Sequence, residues 1–183
     1  MRLRAASPGD AAAVAAIYAP YVTDSTVTFE TEPPTAQEMR GRMEAVAGRF
    51  PWLVAEEADG SLAGYAYACP FRARAAYRFA VETTVYLRPE ASGRGLGARL
   101  YGPLLTALER QGFTQAIAAV ALPNDASVAL HERLGFGHAG TYAQVGYKLG
   151  RWLDVGLWQR PLAAVRDPQL EPLPLEAIRP YLE

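Results

Sequence analysis

The sequence predicts an α/β (α+β) protein built on a mixed central sheet with helices on both faces. Three observations lead there. Strand-like runs alternate with helical ones along the chain, several helices carry legible start and stop signals, and no internal repeat is visible. Of the 183 residues, 50% are hydrophobic and 20% charged, enough apolar side chain for a substantial core. The length corresponds to about one domain, expected over residues 1–162, with a proline-rich tail at 163–183.

The elements follow in order. Arg2 to Ala6 reads as a strand, and Ser7-Pro8-Gly9-Asp10 opens a helix with a capping serine and an N1 proline. That helix is expected to stop at Ala19, before Pro20. Thr35-x-x-Glu38 is a capping box that starts a second helix reaching Gly48. Tyr21 to Pro34 between them reads as irregular. Trp52 to Glu56 and Leu62 to Ala68, joined through Asp59-Gly60, read as an antiparallel hairpin. Val81 to Leu87, rich in β-branched and aromatic residues, is a further strand, with Glu82, Thr84 and Tyr86 on one face.

Leucines 96, 100, 104 and 108 mark one helix face, which Pro103 should kink near Arg99 to Pro103. Ala116 to Ala121 is a short buried strand. Pro123-Asn124-Asp125 caps a helix through Leu134 that Gly135 ends, and strands follow at Gly137 to Val145 and Leu153 to Arg160. The tail after Pro161 is either draped over the surface or loose.

Charge excludes some functions. With 18 basic against 19 acidic side chains, no broad positive field invites nucleic acid or anionic lipid. The longest stretch without an ionisable acid or base, Gln111 to Asn124, is too short to cross a membrane and carries Pro123. The N-terminus lacks a secretory pattern and Cys69 has no second cysteine to pair with, so the expected location is the cytoplasm. No His/Cys cluster has metal-ligand spacing, so no metal is expected.

The glycine-rich turn Ser92-Gly93-Arg94-Gly95-Leu96-Gly97 leaves a strand and enters a helix, where free backbone N–H groups suit a phosphate or pyrophosphate. Its spacing matches neither a dinucleotide-binding fingerprint nor a P-loop, and a plain tight turn is the alternative. Glu82, a carboxylate among Val81, Thr83 and Val85, is either a general base with a raised pKa or an acid pointing to solvent. His131, one turn after Ser127, is either a proton donor or a helix histidine packed under the sheet. Arg72 and Arg74, with Tyr77, either grip an anionic group or lie solvated. His138 reads as structural, and Lys148 and Trp152 are either weaker candidates for substrate contact or ordinary surface and core.

The run Val85 to Gly97, followed by Asn124-x-x-Ser127-x-x-Leu130-His131-x-x-x-Gly135-Phe136, resembles the paired motifs of the GNAT superfamily of N-acetyltransferases. That resemblance implies the GNAT acyl-CoA N-acyltransferase fold and acetyl-CoA as cosubstrate. It assigns Val85, Tyr86 and Leu87 to the pantetheine arm, Gly93, Arg94, Gly95, Leu96, Gly97 and Ala98 to the pyrophosphate, and Asn124 to a further cofactor contact. Ser92 departs from the usual Gln or Arg of the loop. A closer resemblance, carried by Ser25 to Pro33, Phe50 to Glu56, Tyr77 with Glu82 to Tyr86, Leu122 to Asp125 and Trp152 to Gly156, is to the phosphinothricin and methionine sulfoximine N-acetyltransferases. It implies Glu82 as catalytic base, and His131 occupies the slot of the residue that protonates the departing thiolate. Substrate contacts fall on Phe29, Arg72, Arg74, Ala75, Ala76 and Tyr77, and relatives of this kind imply a homodimer. The expected reaction is direct acetylation of the α-amino group of a small amino acid. Another small amine, a protein N-terminus, or a non-catalytic acetyl-CoA-binding module are the alternatives.

Overall fold

In the computed structural model, which describes residues 1–181, seven strands form one sheet. They are β1 (Arg2–Ala5), β2 (Trp52–Glu56), β3 (Leu62–Pro70), β4 (Ala80–Leu87), β5 (Gln115–Leu122), β6 (Gly137–Lys148) and β7 (Arg151–Pro161), in the spatial order β1-β2-β3-β4-β5-β7-β6. Every pairing is antiparallel except β4 with β5, whose connection passes through helix α3 (Leu96–Gln111). The other helices are α1 (Ala11–Thr23), α2 (Ala36–Val46) and α4 (Asp125–Arg133).

Strand periodicity feeds two cores. On β2, Trp52 and Val54 enter a cluster with Val14, Tyr18 and Met39 of α1 and α2, whereas Leu53 and Ala55 enter one with Leu100, Leu104 and Leu108 of α3. Helices therefore cover both faces, as expected.

Pro20 behaves differently from expectation, whereas Pro103 lies inside a helix as expected. Pro20 does not end α1, which continues to Thr23, and α3 runs through Pro103 as one helix. Both prolines are exposed, as are Ala16 and Arg99 four residues earlier, whose carbonyls lose their intrahelical partner. Water on that side of each helix receives them, so the missing bond is tolerated. Strands β6 and β7 are longer than predicted because Leu149 and Gly150, both with positive φ (49° and 77°), make a tight turn between Lys148 and Arg151.

The tail is draped and tied. Leu162 and Ala163 donate backbone hydrogen bonds to Thr114 and Phe113, Leu173 donates to Gln111, and Leu175 to Gly48. Gln111 Nε2 returns a bond to the Leu173 carbonyl at 2.9 Å, and Ile178 is buried.

Candidate active site

The site begins where the sheet splits. Strands β4 and β5 pair only through Ala80 with Gln115, Val81 with Ala116 and Glu82 with Ile117, although both run five residues further. On their outer edges both remain fully paired, β4 with β3 as far as Leu87 opposite Gly64, and β5 with β7 as far as Leu122 opposite Asp154. The facing inner edges, Thr83 to Leu87 and Ala118 to Leu122, are thus left without each other. Such an opening suits an extended chain bearing amides, which can bond the free backbone groups as an added strand would.

The glycine-rich turn lies at the end of β4. Gly93 and Gly95 take left-handed φ values of 75° and 74°, a conformation side chains resist. Gly95 is the N-cap of α3 and offers no side chain to the first-turn N–H groups, which leaves them for an anion. At Gly97 the reason is space: a Cβ would lie 3.1 Å from Leu130 Cδ2 of α4. Arg94 is exposed on this turn and Ala98 half-buried behind it.

Glu82 is partly buried at the last paired position before the split. Burial raises its pKa, and the guanidinium of Arg72 pulls the other way. Its cross-strand neighbour on β3 is Cys69, whose thiol burial pushes up to about 11, so that sulfur is protonated and a poor nucleophile at neutral pH. Tyr86, two rows along the same face, packs edge-on or tilted against Tyr18, Tyr21 and Tyr65. Tyr21 donates to the Leu87 carbonyl at 2.6 Å, which anchors the end of β4.

His131 lies on the opposite face. It is 4% exposed, with Nδ1 2.7 Å from the Ser127 carbonyl and Nε2 3.0 Å from the Tyr101 hydroxyl. Tyr101 in turn reaches Thr83 Oγ1 at 2.7 Å, and Thr83 the Ile117 carbonyl at 3.3 Å. The chain ends at the residue pair beside the split. A carbonyl accepts only, so Nδ1 carries a proton and donates to Ser127. In the neutral ring Nε2 carries no proton and faces the oxygen of the Tyr101 hydroxyl, whose one proton goes to Thr83 Oγ1. Burial lowers the His131 pKa and favours that neutral form. The geometry matches a histidine packed under the sheet, and donating to a departing sulfur would require Nε2 to leave Tyr101. Thr83 and Tyr101 went unnoticed in sequence, although Thr83 must face away from Glu82 by strand alternation.

The remaining candidates divide. Asn124 caps α4, its Oδ1 accepting from the Ser127 N–H at 3.1 Å. Ala75, Ala76 and Tyr77 form one exposed 3-10 turn, with the Arg72 guanidinium over the Phe71 and Tyr77 rings at 5.1 and 5.8 Å. Arg72 and Arg74 line a cleft of about 200 Å³ with Tyr77, Arg49 and Phe50. A larger cleft of about 560 Å³, between Arg4, Met43, Trp52 and Leu175, contains none of the candidates. His138 contacts Thr141 Oγ1 at 3.0 Å and the Trp158 ring, a structural setting. Lys148 and Trp152 exchange their expected places: Lys148 is 6% exposed and Trp152 62%. Among the described residues no three His, Cys, Asp or Glu side chains gather as a metal site, and no helix is long and apolar enough to cross a membrane.

A split parallel pair followed by a glycine turn at a helix N-terminus offers free backbone groups to an extended amide-bearing chain and an anion, and comparison with known proteins shows which class of protein uses them. Residues 3–157 match the acetyltransferase (GNAT) domain, and the chain belongs to that family of acetyl-CoA-dependent N-acetyltransferases. Its relatives include the phosphinothricin N-acetyltransferase of Streptomyces viridochromogenes, 47% identical over 92% of each chain. The L-methionine sulfoximine/L-methionine sulfone acetyltransferase of Pseudomonas aeruginosa is 35% identical over 90% of this chain and 96% of its own. A phosphinothricin acetyltransferase of Sinorhizobium meliloti, crystallised with acetyl-CoA, superposes with a TM-score of 0.86 at 41% identity, covering 88% of both chains.

Proposed function

We propose that the protein acetylates the α-amino group of a small amino acid with an anionic or strongly polar tetrahedral head, such as phosphinothricin, methionine sulfoximine or methionine sulfone. The observation that carries this reading is Glu82, a partly buried carboxyl where β4 and β5 part, with the Arg72 guanidinium acting on it. The relatives whose names specify these substrates support the choice.

Acetyl-CoA supplies the activated acetyl thioester. The residues fit it: Gly93 to Ala98 offer backbone donors to the pyrophosphate, and the free inner edge at Val85 to Leu87 offers hydrogen bonds to the pantetheine amides, with Asn124 nearby on the same side. Glu82 accepts the ammonium proton, which must leave before nitrogen can attack. Arg72, Arg74, Tyr77 and Phe29, with the backbone of Ala75 and Ala76, hold the amino acid. His131 acts through Tyr101 and Thr83, keeping the split in shape, and solvent returns the proton to sulfur. Residues 1–162 act as the single catalytic unit in the cytoplasm, without a metal.

A second copy is proposed to cover the exposed edge at β6, a strand with one unpaired side that carries Tyr142, Val145 and Tyr147, with Leu149 in the turn after it and Trp152 on β7 beside Tyr147. Sedimentation tests this, and a monomer at micromolar concentration rejects it. For the reaction, release of CoA is measured with a panel of amines. Phosphinothricin-like amino acids should outcompete polyamines and aminoglycosides, since guanidinium groups repel polycations. Preference for a polycation, or no turnover with any amine, rejects the reading.

A further inference from the structure

Edge strand β6 touches both loops assigned to the amine. Tyr142 Oη lies 3.4 Å from Arg72 Nη2, and four residues on, the Phe29 ring lies directly on the backbone of Gly146. Between them β6 bulges, with Gln144 at a φ of 51° and its N–H bonded to Asp154 Oδ1 at 2.8 Å. The bulge lets one short stretch of strand meet the Arg72 loop and the Phe29 loop together.

The Phe29 loop, residues 24–35, has no regular secondary structure and is held by its neighbours. From the α1 and α2 side, Tyr18 bonds Thr28 and Glu30, and Arg42 forms a fork with Glu30 at 2.7 and 2.8 Å. From the β6 side, Lys148 Nζ donates to the Thr28 carbonyl at 2.8 Å and to the Tyr21 carbonyl at 3.3 Å. Tyr21 lies in the last turn of α1, where carbonyls lack helical partners and a cation is favoured. The chain's single lysine is thus buried among carbonyls and joins β6, the end of α1 and the loop.

Phe29 is 39% exposed, with one part of its ring against Gly146 and the rest open. A Cβ at position 146 would collide with that ring. We propose that Lys148 and Gly146 are positioning residues for the amine: together they hold Phe29 as one wall of the pocket opposite Arg72, and so set the affinity for the amino acid rather than for acetyl-CoA. This rests on the amine site proposed above.

The test is kinetic and structural together. In Lys148→Met, KM for the amino acid should rise roughly 10- to 100-fold, the range for losing a hydrogen bond to a charged group, and in Gly146→Ala it should rise because the added methyl displaces the Phe29 ring, with KM for acetyl-CoA within about twofold in both. Hydrogen exchange in residues 24–32 should quicken while α3 stays protected. In a double-mutant cycle Phe29→Leu removes the colliding ring, so adding Gly146→Ala to it should change little further. An unchanged amine KM, an equal rise in both KM values, or additivity of Phe29→Leu with Gly146→Ala overturns the proposal. If the wild type acetylates no amine in the panel, the amine reading fails, and exchange alone then decides: a loop unaltered in both variants overturns the positioning role.

Discussion

Replacing Glu82 by Gln keeps the shape of the side chain and removes its capacity to take a proton. No ion pair of Glu82 is present among the described residues, so the change breaks none. Burial raises the Glu82 pKa against the opposing pull of Arg72, so this carboxyl favours the fold while protonated, at low pH, and loses that contribution as pH rises through its raised folded pKa. A neutral amide avoids the loss. At pH 8 the variant should therefore melt at or above the wild-type temperature. Its turnover should fall by roughly 10²–10⁴, equivalent to about 2.7–5.5 kcal/mol of lost transition-state stabilisation. The pH profile discriminates further. Wild-type kcat/KM should rise through the raised Glu82 pKa and level off, whereas the variant should keep climbing about tenfold per unit until the amine itself is neutral. CoA release measured from pH 5 to 10, with calorimetry for acetyl-CoA binding, makes the test. Full activity in Glu82→Gln, or a profile parallel to the wild type, refutes Glu82 as the base.

Other outcomes follow from the same geometry. Arg74→Ala should raise KM for the amino acid more than it lowers kcat, as for a group that holds ground and transition states alike, and an unaltered KM would mark Arg74 as surface. His131→Ala should lose about tenfold in turnover, less than Glu82→Gln, because solvent can protonate the departing sulfur; a loss as large as that of Glu82→Gln would restore the ring as direct donor. The depressed His131 pKa means that wild-type stability declines as pH falls from 6.5 through the lower folded value, and His131→Gln should flatten that decline in denaturant titrations. Asp10, held by Arg4 at 2.8 Å with its pKa lowered to about 2, contributes roughly 2 kcal/mol above pH 4 that is lost as pH falls through 2. Asp10→Asn should reduce neutral-pH stability by about that amount, and equal stability of the two proteins would remove the ion pair from the account.

The chain signals its elements through neighbours in sequence. The Thr35-Glu38 box closes in space, with Thr35 Oγ1 accepting from the Glu38 N–H at 3.2 Å, and Asn124 caps α4. Alternation along β4 places Glu82 opposite Thr83, and the glycines of the turn take left-handed angles. These signals are local, so they survive without knowledge of the fold. Long-range register does not. Where β4 and β5 separate is a matter of which residues pair across them, Glu82 with Ile117 being the last, an alignment that no feature of β4 alone encodes. His131 Nδ1 finds the Ser127 carbonyl on its own helix, but the Nε2 partner, Tyr101, comes from α3, 30 positions away, and Thr83 behind it from β4, so only packing occupies the second nitrogen. Composition places lysine outside and tryptophan inside, yet Lys148 is enclosed because the end of α1 and the Phe29 loop present carbonyls there, while Trp152 sits exposed on the hairpin at the edge of the sheet. Local chemistry determined which segments are strand, helix and turn; tertiary structure alone decided which side chains meet, because burial and partners depend on elements far apart in the chain.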